Sequence, residues 1–149
     1  FVVLVGAVIF IGQVPTGSRL FYFPLAVLCM VLWGFALSLV LSSATVYLRD
    51  TQYLVEVALT ILFWACPIVY SWTFVGNVVS PGVLDAYLWN PTTVSVLAMQ
   101  QAFWVSGDAQ PVPDELGLRL GILVLVGFVL VIVAQRVFSR AQANFAQEL

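Results

Sequence analysis

The sequence contains no lysine and no histidine, and its only cations are five arginines. Without lysine it cannot contain the Gly-x-x-x-x-Gly-Lys loop that binds nucleotide phosphates. Without histidine it cannot form the Ser-His or Cys-His pairs that activate a nucleophile. It also has no group of cysteines or carboxylates with metal-ligand spacing. We therefore predict no catalytic residue, no metal site and no cofactor in this chain.

Charge of either sign is scarce, since 8% of the residues are charged and 62% are hydrophobic. The mean hydropathy is +1.08, whereas soluble domains carry about 25% charged residues. This composition predicts an integral membrane protein. Only Glu56 is a candidate ionisable group within the membrane, and it lies close to an interface, which argues against a proton-coupled or ion-coupled carrier. Cys29 and Cys66 lie inside apolar runs, so we expect buried thiols rather than a disulfide.

The lengths of the apolar runs predict an all-α transmembrane domain over residues 1–149. The run at 20–48 is more than long enough to cross a membrane with tilt. In the next run Pro67 removes a hydrogen bond to the carbonyl of Phe63, and we expect a kink there. The predicted segments are a truncated span at 1–12, spans at 20–48, 53–72 and 118–135, and a cytoplasmic polar tail at 136–149.

The region at 73–117 is too polar and too interrupted by proline to be an ordinary span. It carries two apolar patches, 83–89 and 93–105, each shorter than the roughly 20 residues that a crossing needs. The turn signal Asn90-Pro91 separates them, and one span through both patches would leave polar backbone unpaired in lipid. We therefore predict a re-entrant pair of short helices at 79–105 on the external side.

The arginines predict the orientation of the chain. Arg49, Arg136 and Arg140 fall on one side of the predicted spans, and Arg19 and Arg119 fall on the other. Because cytoplasmic loops carry the excess of arginine and lysine, the first side is predicted to be cytoplasmic. The chain is thus expected to be a multi-pass protein of the inner (plasma) membrane.

An Arg-Asp pair, Arg49 and Asp50, lies between two long apolar runs. A cation is favourable at the C-terminal end of the preceding helix and an anion at the N-terminal end of the following one. The pair therefore predicts a tight turn at a membrane surface. After it, the stretch RDTQYLVEVALTILFWACPIVY ends in a Pro-x-x-Tyr motif, formed by Pro67 and Tyr70. An Asn-Pro motif and a last span running into VFSRAQANFAQEL come later.

In this order and spacing, the motifs resemble those of the permease subunit of ABC-type exporters of polysaccharide, O-antigen or teichoic acid. The resemblance covers nearly the whole chain. It implies a C-terminal fragment of a six-span permease, with about four of the spans present. It also implies a permease homodimer paired with two ATP-binding cassette subunits. Arg49 and Asp50 would then lie on the cytoplasmic turn that contacts the ATP-binding subunit, unless they only terminate two helices.

Aromatic side chains cluster towards the predicted external end and are candidates for the path of a glycan substrate. Their rings would stack on sugars, or alternatively would only anchor the protein in the headgroup layer. The candidates are Trp64, Tyr70, Trp72, Tyr87, Trp89, Phe103 and Trp104.

Two other functions remain open at this stage. A permease of the same architecture could export a drug or a lipid, since the fold is shared more widely than the substrate. A membrane-embedded glycosyl or acyl transferase is disfavoured, because the external carboxylates are scattered. These carboxylates are Asp85, Asp108, Asp114 and Glu115.

Overall fold

The computed structural model describes residue 6 and residues 17–47, 50–103 and 112–145. Within these ranges the chain is helical and contains no strand, as predicted for an all-α protein. A 3-10 turn at Gly17–Phe21 comes first. The α-helices are α1 (Tyr22–Tyr47), α2 (Thr51–Ala65), α3 (Trp72–Val78), α4 (Pro81–Leu88), α5 (Pro91–Phe103) and α6 (Leu116–Phe145).

Two segments in the described ranges are long and apolar enough to cross a membrane: Arg19–Thr45, which contains most of α1, and Leu116–Arg140 in α6. Each has few charges and exposes large apolar side chains over much of its surface. A helix with apolar residues on all sides suits a lipid environment or a buried core. Together with the composition, these helices indicate a membrane protein.

The two long helices pack side by side and run in the same direction. Gly117, at the start of α6, lies against the ring of Tyr22 at the start of α1. Further along both helices, the indole nitrogen of Trp33 donates a hydrogen bond to the Leu123 carbonyl at 3.0 Å. Gly127 then lies against Leu32 and Trp33. Both helices therefore begin at the same end of the molecule.

This parallel packing sorts the described arginines by end. Arg19 is in the 3-10 turn that leads into α1, and Arg119 is in the first turn of α6, so both are at the end where the two helices begin. Arg136 and Arg140 are exposed near the far end of α6. Arg49 lies outside the described residues. Which end faces the cytoplasm stays a prediction.

The third member of the core is α5, which packs against both α1 and α6. Its buried face carries Ala98 and Leu97, which join Leu120 of α6 in one apolar cluster. Phe103 at its end meets Phe23 at the start of α1, with ring centroids 5.1 Å apart. Nearer its start, α5 places the Ser95 hydroxyl at Cys29. The helix is thus antiparallel to α1, and its start lies deeper along α1 than its end.

In α2 the structure differs from the predicted span at 53–72. The helix ends at Ala65, and Cys66 has an extended backbone with ψ 150°. The expected kink is therefore a helix end. The physical reason is that a residue before proline disfavours the α conformation, and Pro67 has no N–H to continue the ladder. Fifteen residues rise about 22 Å, which is less than the roughly 30 Å of a hydrocarbon core.

The segment that follows is also more helical than predicted. The short helix α3 was not expected, and the patches predicted at 83–89 and 93–105 correspond to α4 and α5. Residues 104 and 105 lie outside the described part of the chain. Re-entry of these helices to the side from which they came stays a prediction. Cys29 and Cys66 are buried and free, as expected.

Candidate functional site

The Pro-x-x-Tyr motif forms a compact turn after α2. Pro67 is fully buried, and its carbonyl accepts a hydrogen bond of 3.0 Å from Nε2 of Gln100 in α5. Tyr70 closes the turn, because its hydroxyl donates to the Trp64 carbonyl at 3.0 Å. That carbonyl belongs to the last turn of α2, where the helix leaves backbone acceptors without intrahelical partners. The motif thus caps α2 and ties the turn to α5.

A second set of polar atoms joins the same turn to α4 and α5. The Thr93 hydroxyl lies 4.0 Å from the Cys66 sulfur, and both residues are buried. The phenol of Tyr87 lies beside Tyr70, Cys66 and Thr93. We call Cys66, Pro67, Tyr70, Tyr87, Thr93 and Gln100 the turn cluster. It brings together the two residues of the Pro-x-x-Tyr motif, Pro67 and Tyr70, and the aromatic candidate Tyr87.

The Tyr87 hydroxyl is the least satisfied atom of the turn cluster. It is buried, and it has no hydrogen-bond partner of adequate geometry among the described residues. Burial raises its pKa, and the neighbouring Tyr70 hydroxyl raises the pKa further. The phenol therefore stays protonated at physiological pH and keeps a donor available inside the cluster.

The Asn-Pro motif starts α5. The Asn90 side-chain oxygen accepts a hydrogen bond from the Thr92 backbone N–H at 3.0 Å, and its carbonyl accepts one from Val94 at 3.0 Å. Pro91 occupies the first helical position, where its missing N–H costs nothing and its φ suits a helix. These contacts explain the motif as a helix start, and they position the buried face of α5 against the turn cluster.

The third group was missed by sequence reasoning, which placed Asp85 and Arg119 on the same side but did not pair them. Nη2 of Arg119 donates to Oδ1 of Asp85 at 2.7 Å. The guanidinium carbon also lies 5.0 Å from the ring centroid of Trp89, within the range of a cation–π contact. We call Asp85, Trp89 and Arg119 the Arg119 group. The sequence signal that could have found it is an isolated arginine at the apolar start of the last helix.

The aromatic candidates lie in several places in the described structure. Trp64 is 64% exposed and packs edge-on against Phe63, with centroids 5.8 Å apart. Trp72 packs partly buried against the apolar core. Tyr70 and Tyr87 are neighbours, whereas Phe103 is engaged with Phe23 as described above. Trp104 lies outside the described residues. Contact of any of these rings with a substrate stays a prediction.

Of the Arg-Asp pair between α1 and α2, only Asp50 lies in the described part of the chain. Asp50 is exposed at the N-cap of α2, and its side chain makes no capping hydrogen bond. Its backbone carbonyl accepts the N–H of Leu54 at 3.3 Å. The carboxylate is thus next to the positive end of a helix, where a negative charge is stabilising. Arg49 lies outside the described residues, and contact of the pair with another subunit stays a prediction.

No group of three histidine, cysteine or carboxylate side chains in the described ranges is placed to hold a metal ion. The contacts of the turn cluster and the Arg119 group are hydrogen bonds, an ion pair and ring packing. Such groups can position helices and bind polar or aromatic-stacking ligands.

Comparison with known proteins identifies relatives over almost the whole chain. The O-antigen export system permease protein RfbA of Klebsiella pneumoniae is 24% identical over 143 residues, covering 93% of this chain and 49% of the relative. The chain is similar to O-antigen export permeases. The protein of the same name from Myxococcus xanthus is 29% identical over 141 residues, covering 93% of this chain and 50% of its own length. The resemblance inferred from the motifs is therefore confirmed.

A second RfbA from Klebsiella pneumoniae is 22% identical over 142 residues, again covering 93% of this chain. This chain spans about half the length of the curated relatives that it matches. No family model matches it.

Proposed function

We propose that this chain is part of the membrane-spanning permease of an ATP-driven exporter that moves a polysaccharide or lipid-linked glycan outwards. The observation that carries the proposal is the similarity to O-antigen export permeases over 93% of the chain. Two parallel, lipid-compatible helices support it, since a permease must present apolar surface to the bilayer. The relatives' longer chains imply further permease segments that this sequence does not include.

The energy for export would come from a separate ATP-binding cassette subunit. This chain contains no lysine and so no phosphate-binding loop of the Gly-x-x-x-x-Gly-Lys type. We place the contact with that subunit at Arg49 and Asp50, and we propose a permease homodimer in the inner membrane. The exposure of Asp50, with no side-chain capping bond, leaves its carboxylate available to a partner.

At the other end, α4 and α5 would form the external helix pair that borders the exit. The turn cluster supports this role, because polar contacts connect the end of α2 with α5 and the Tyr87 phenol of α4 lies beside them. Trp64 and Trp89 are the most exposed of the described aromatic candidates, at 64% and 36%. Their faces are therefore the ones we propose for stacking on sugar rings.

Export by the intact system tests the proposal. The full-length permease gene would be deleted and restored in its native cells, and surface glycan would be measured with an impermeant lectin or antibody. Deletion should remove surface glycan and leave it inside the cell. A matched strain with a catalytically inactive ATP-binding subunit should show the same loss, and the purified permease alone should hydrolyse no ATP.

Unchanged surface glycan in the deletion strain would contradict glycan export. If the same strain instead lost resistance to a drug, or mislocalised a lipid, a permease of the same architecture with that substrate would replace the proposal. Robust ATP hydrolysis by the isolated permease would contradict the proposal that a separate subunit hydrolyses ATP.

A further inference from the structure

The guanidinium of Arg119 is largely buried, permanently charged and only partly paired. Its side chain is 15% exposed, and a single donor, Nη2, binds Asp85. Nε and Nη1 are buried without a hydrogen-bond partner in the part of the chain that the structure describes. Charged donors without acceptors are costly to bury, so these two atoms indicate that an acceptor belongs beside them.

Asp85 is a weak ion-pair partner for this guanidinium. Its side chain is 57% exposed, so its carboxylate keeps much of its hydration and gains little from an ion pair at the surface. It also uses one of the five N–H groups that arginine offers in a fixed planar fork. A ligand with two or more oxygens on one centre can replace Oδ1 of Asp85 and fill a second donor of the fork.

The remaining surroundings favour an oxyanion in that position. The guanidinium carbon lies 5.0 Å from the Trp89 ring centroid, and this cation–π contact restrains the position of the guanidinium. Arg119 also lies in the first turn of the long helix α6, where the helix dipole adds positive potential. Arginine forks match phosphate oxygens bidentately, whereas a single carboxylate oxygen satisfies one donor.

We propose that the Arg119 group binds a phosphate ester, with Asp85 as the carboxylate that occupies the guanidinium when no phosphate is present. Arg119 lies at the end where α1 and α6 begin, level with Tyr22 and Gly117. If this end meets a membrane surface, two sources of the same chemistry are within reach. One is the headgroup of a bilayer lipid, and the other is a phosphate ester carried by the transported molecule.

Phosphorus NMR of a soluble probe tests the site directly. The full-length permease would be purified in dodecyl maltoside, which contains no phosphate, and titrated against glycerol 1-phosphate while the linewidth is recorded. Wild-type protein should broaden the signal saturably. Arg119→Gln should weaken binding at least tenfold, and Asp85→Asn should tighten it several-fold by removing the competing carboxylate. Arg136→Gln, which changes an exposed arginine at the other end of α6, is the matched control and should bind as wild type.

Added lipids distinguish the two sources. Competition by phosphatidylglycerol identifies a headgroup site, whereas competition by a short polyprenyl phosphate alone identifies the phosphate of a carrier-linked substrate. Absence of saturable broadening overturns the proposal, as does equal binding by the Arg119→Gln and Arg136→Gln proteins. If Arg119→Gln fails to fold, weaker or unchanged binding by Asp85→Asn overturns it instead. Since binding is read without ATP or transport, a negative result leaves the export proposal standing.

Discussion

The close packing of α1 on α6 makes a sharp prediction at Gly127. A Cβ at this position would lie 3.0 Å from Cβ of Leu32 and 3.2 Å from Cδ1 of Trp33. Both distances are shorter than the optimal carbon–carbon separation of about 3.5–4.0 Å. Neither neighbour can yield easily, because one is a Cβ fixed to its own helix and the other is held by a hydrogen bond to the Leu123 carbonyl.

Two opposing contributions decide whether Gly127→Ala stabilises or destabilises the protein. In the interior of a helix, alanine is favoured over glycine by about 0.5–1 kcal/mol. Overpacking a tight contact costs about 1–3 kcal/mol, so after the helical gain Gly127→Ala should lower the free energy of unfolding by about 1 kcal/mol. Gly121 provides a matched control in the same helix, because a Cβ there meets nothing within 4 Å. Gly121→Ala should therefore be neutral or stabilising.

The measurement is the thermal unfolding midpoint of the full-length permease in detergent, followed by fluorescence-detected size-exclusion chromatography. A change of 1 kcal/mol shifts the midpoint of a chain of about 150–250 residues by about 2–4 °C, and that of a longer chain by less. We expect Gly127→Ala to melt several degrees below Gly121→Ala. Equal midpoints, or a higher midpoint for Gly127→Ala, would refute the close approach of the two helices.

Three further predictions concern the Arg-Asp pair, the turn after α2 and the predicted external helix pair. Arg49→Ala should reduce surface glycan more than it reduces the amount of permease in the membrane; equal losses would mean that the residue only terminates a helix. Tyr70→Phe should lower the unfolding midpoint by removing the hydrogen bond that closes the turn, about 1 kcal/mol, while Tyr53→Phe at an exposed position should not; identical shifts would refute the role of the turn. In a background without native cysteines, single cysteines at Ser80 and Ser106 should both react with an impermeant thiol reagent outside intact cells. Labelling of one from outside and the other only from inside would show that the intervening segment crosses the membrane.

The boundaries of several elements could be predicted from local chemistry. Proline lacks an N–H and restricts the residue before it, so an interruption at Pro67 and an element boundary at Asn90-Pro91 could be predicted from the sequence. The form of the break was less predictable. After a proline the helix can continue with a kink, or it can end if the backbone groups that follow find hydrogen-bond partners elsewhere. Here the Gln100 side chain is the partner of the Pro67 carbonyl.

The sequence by itself determined the class of the protein, because a chain with so few charges and such long apolar runs cannot remain soluble. It also determined the family resemblance, through motifs read in order. The tertiary structure alone decided that Tyr87 joins Tyr70, and that Arg119 pairs with Asp85, 34 positions away. In lipid, apolar periodicity does not specify which helices meet, because lipid tails are as apolar as the side chains. Which helices pack together is determined instead by close packing, such as that of Gly127 on Trp33, and by polar contacts between distant residues.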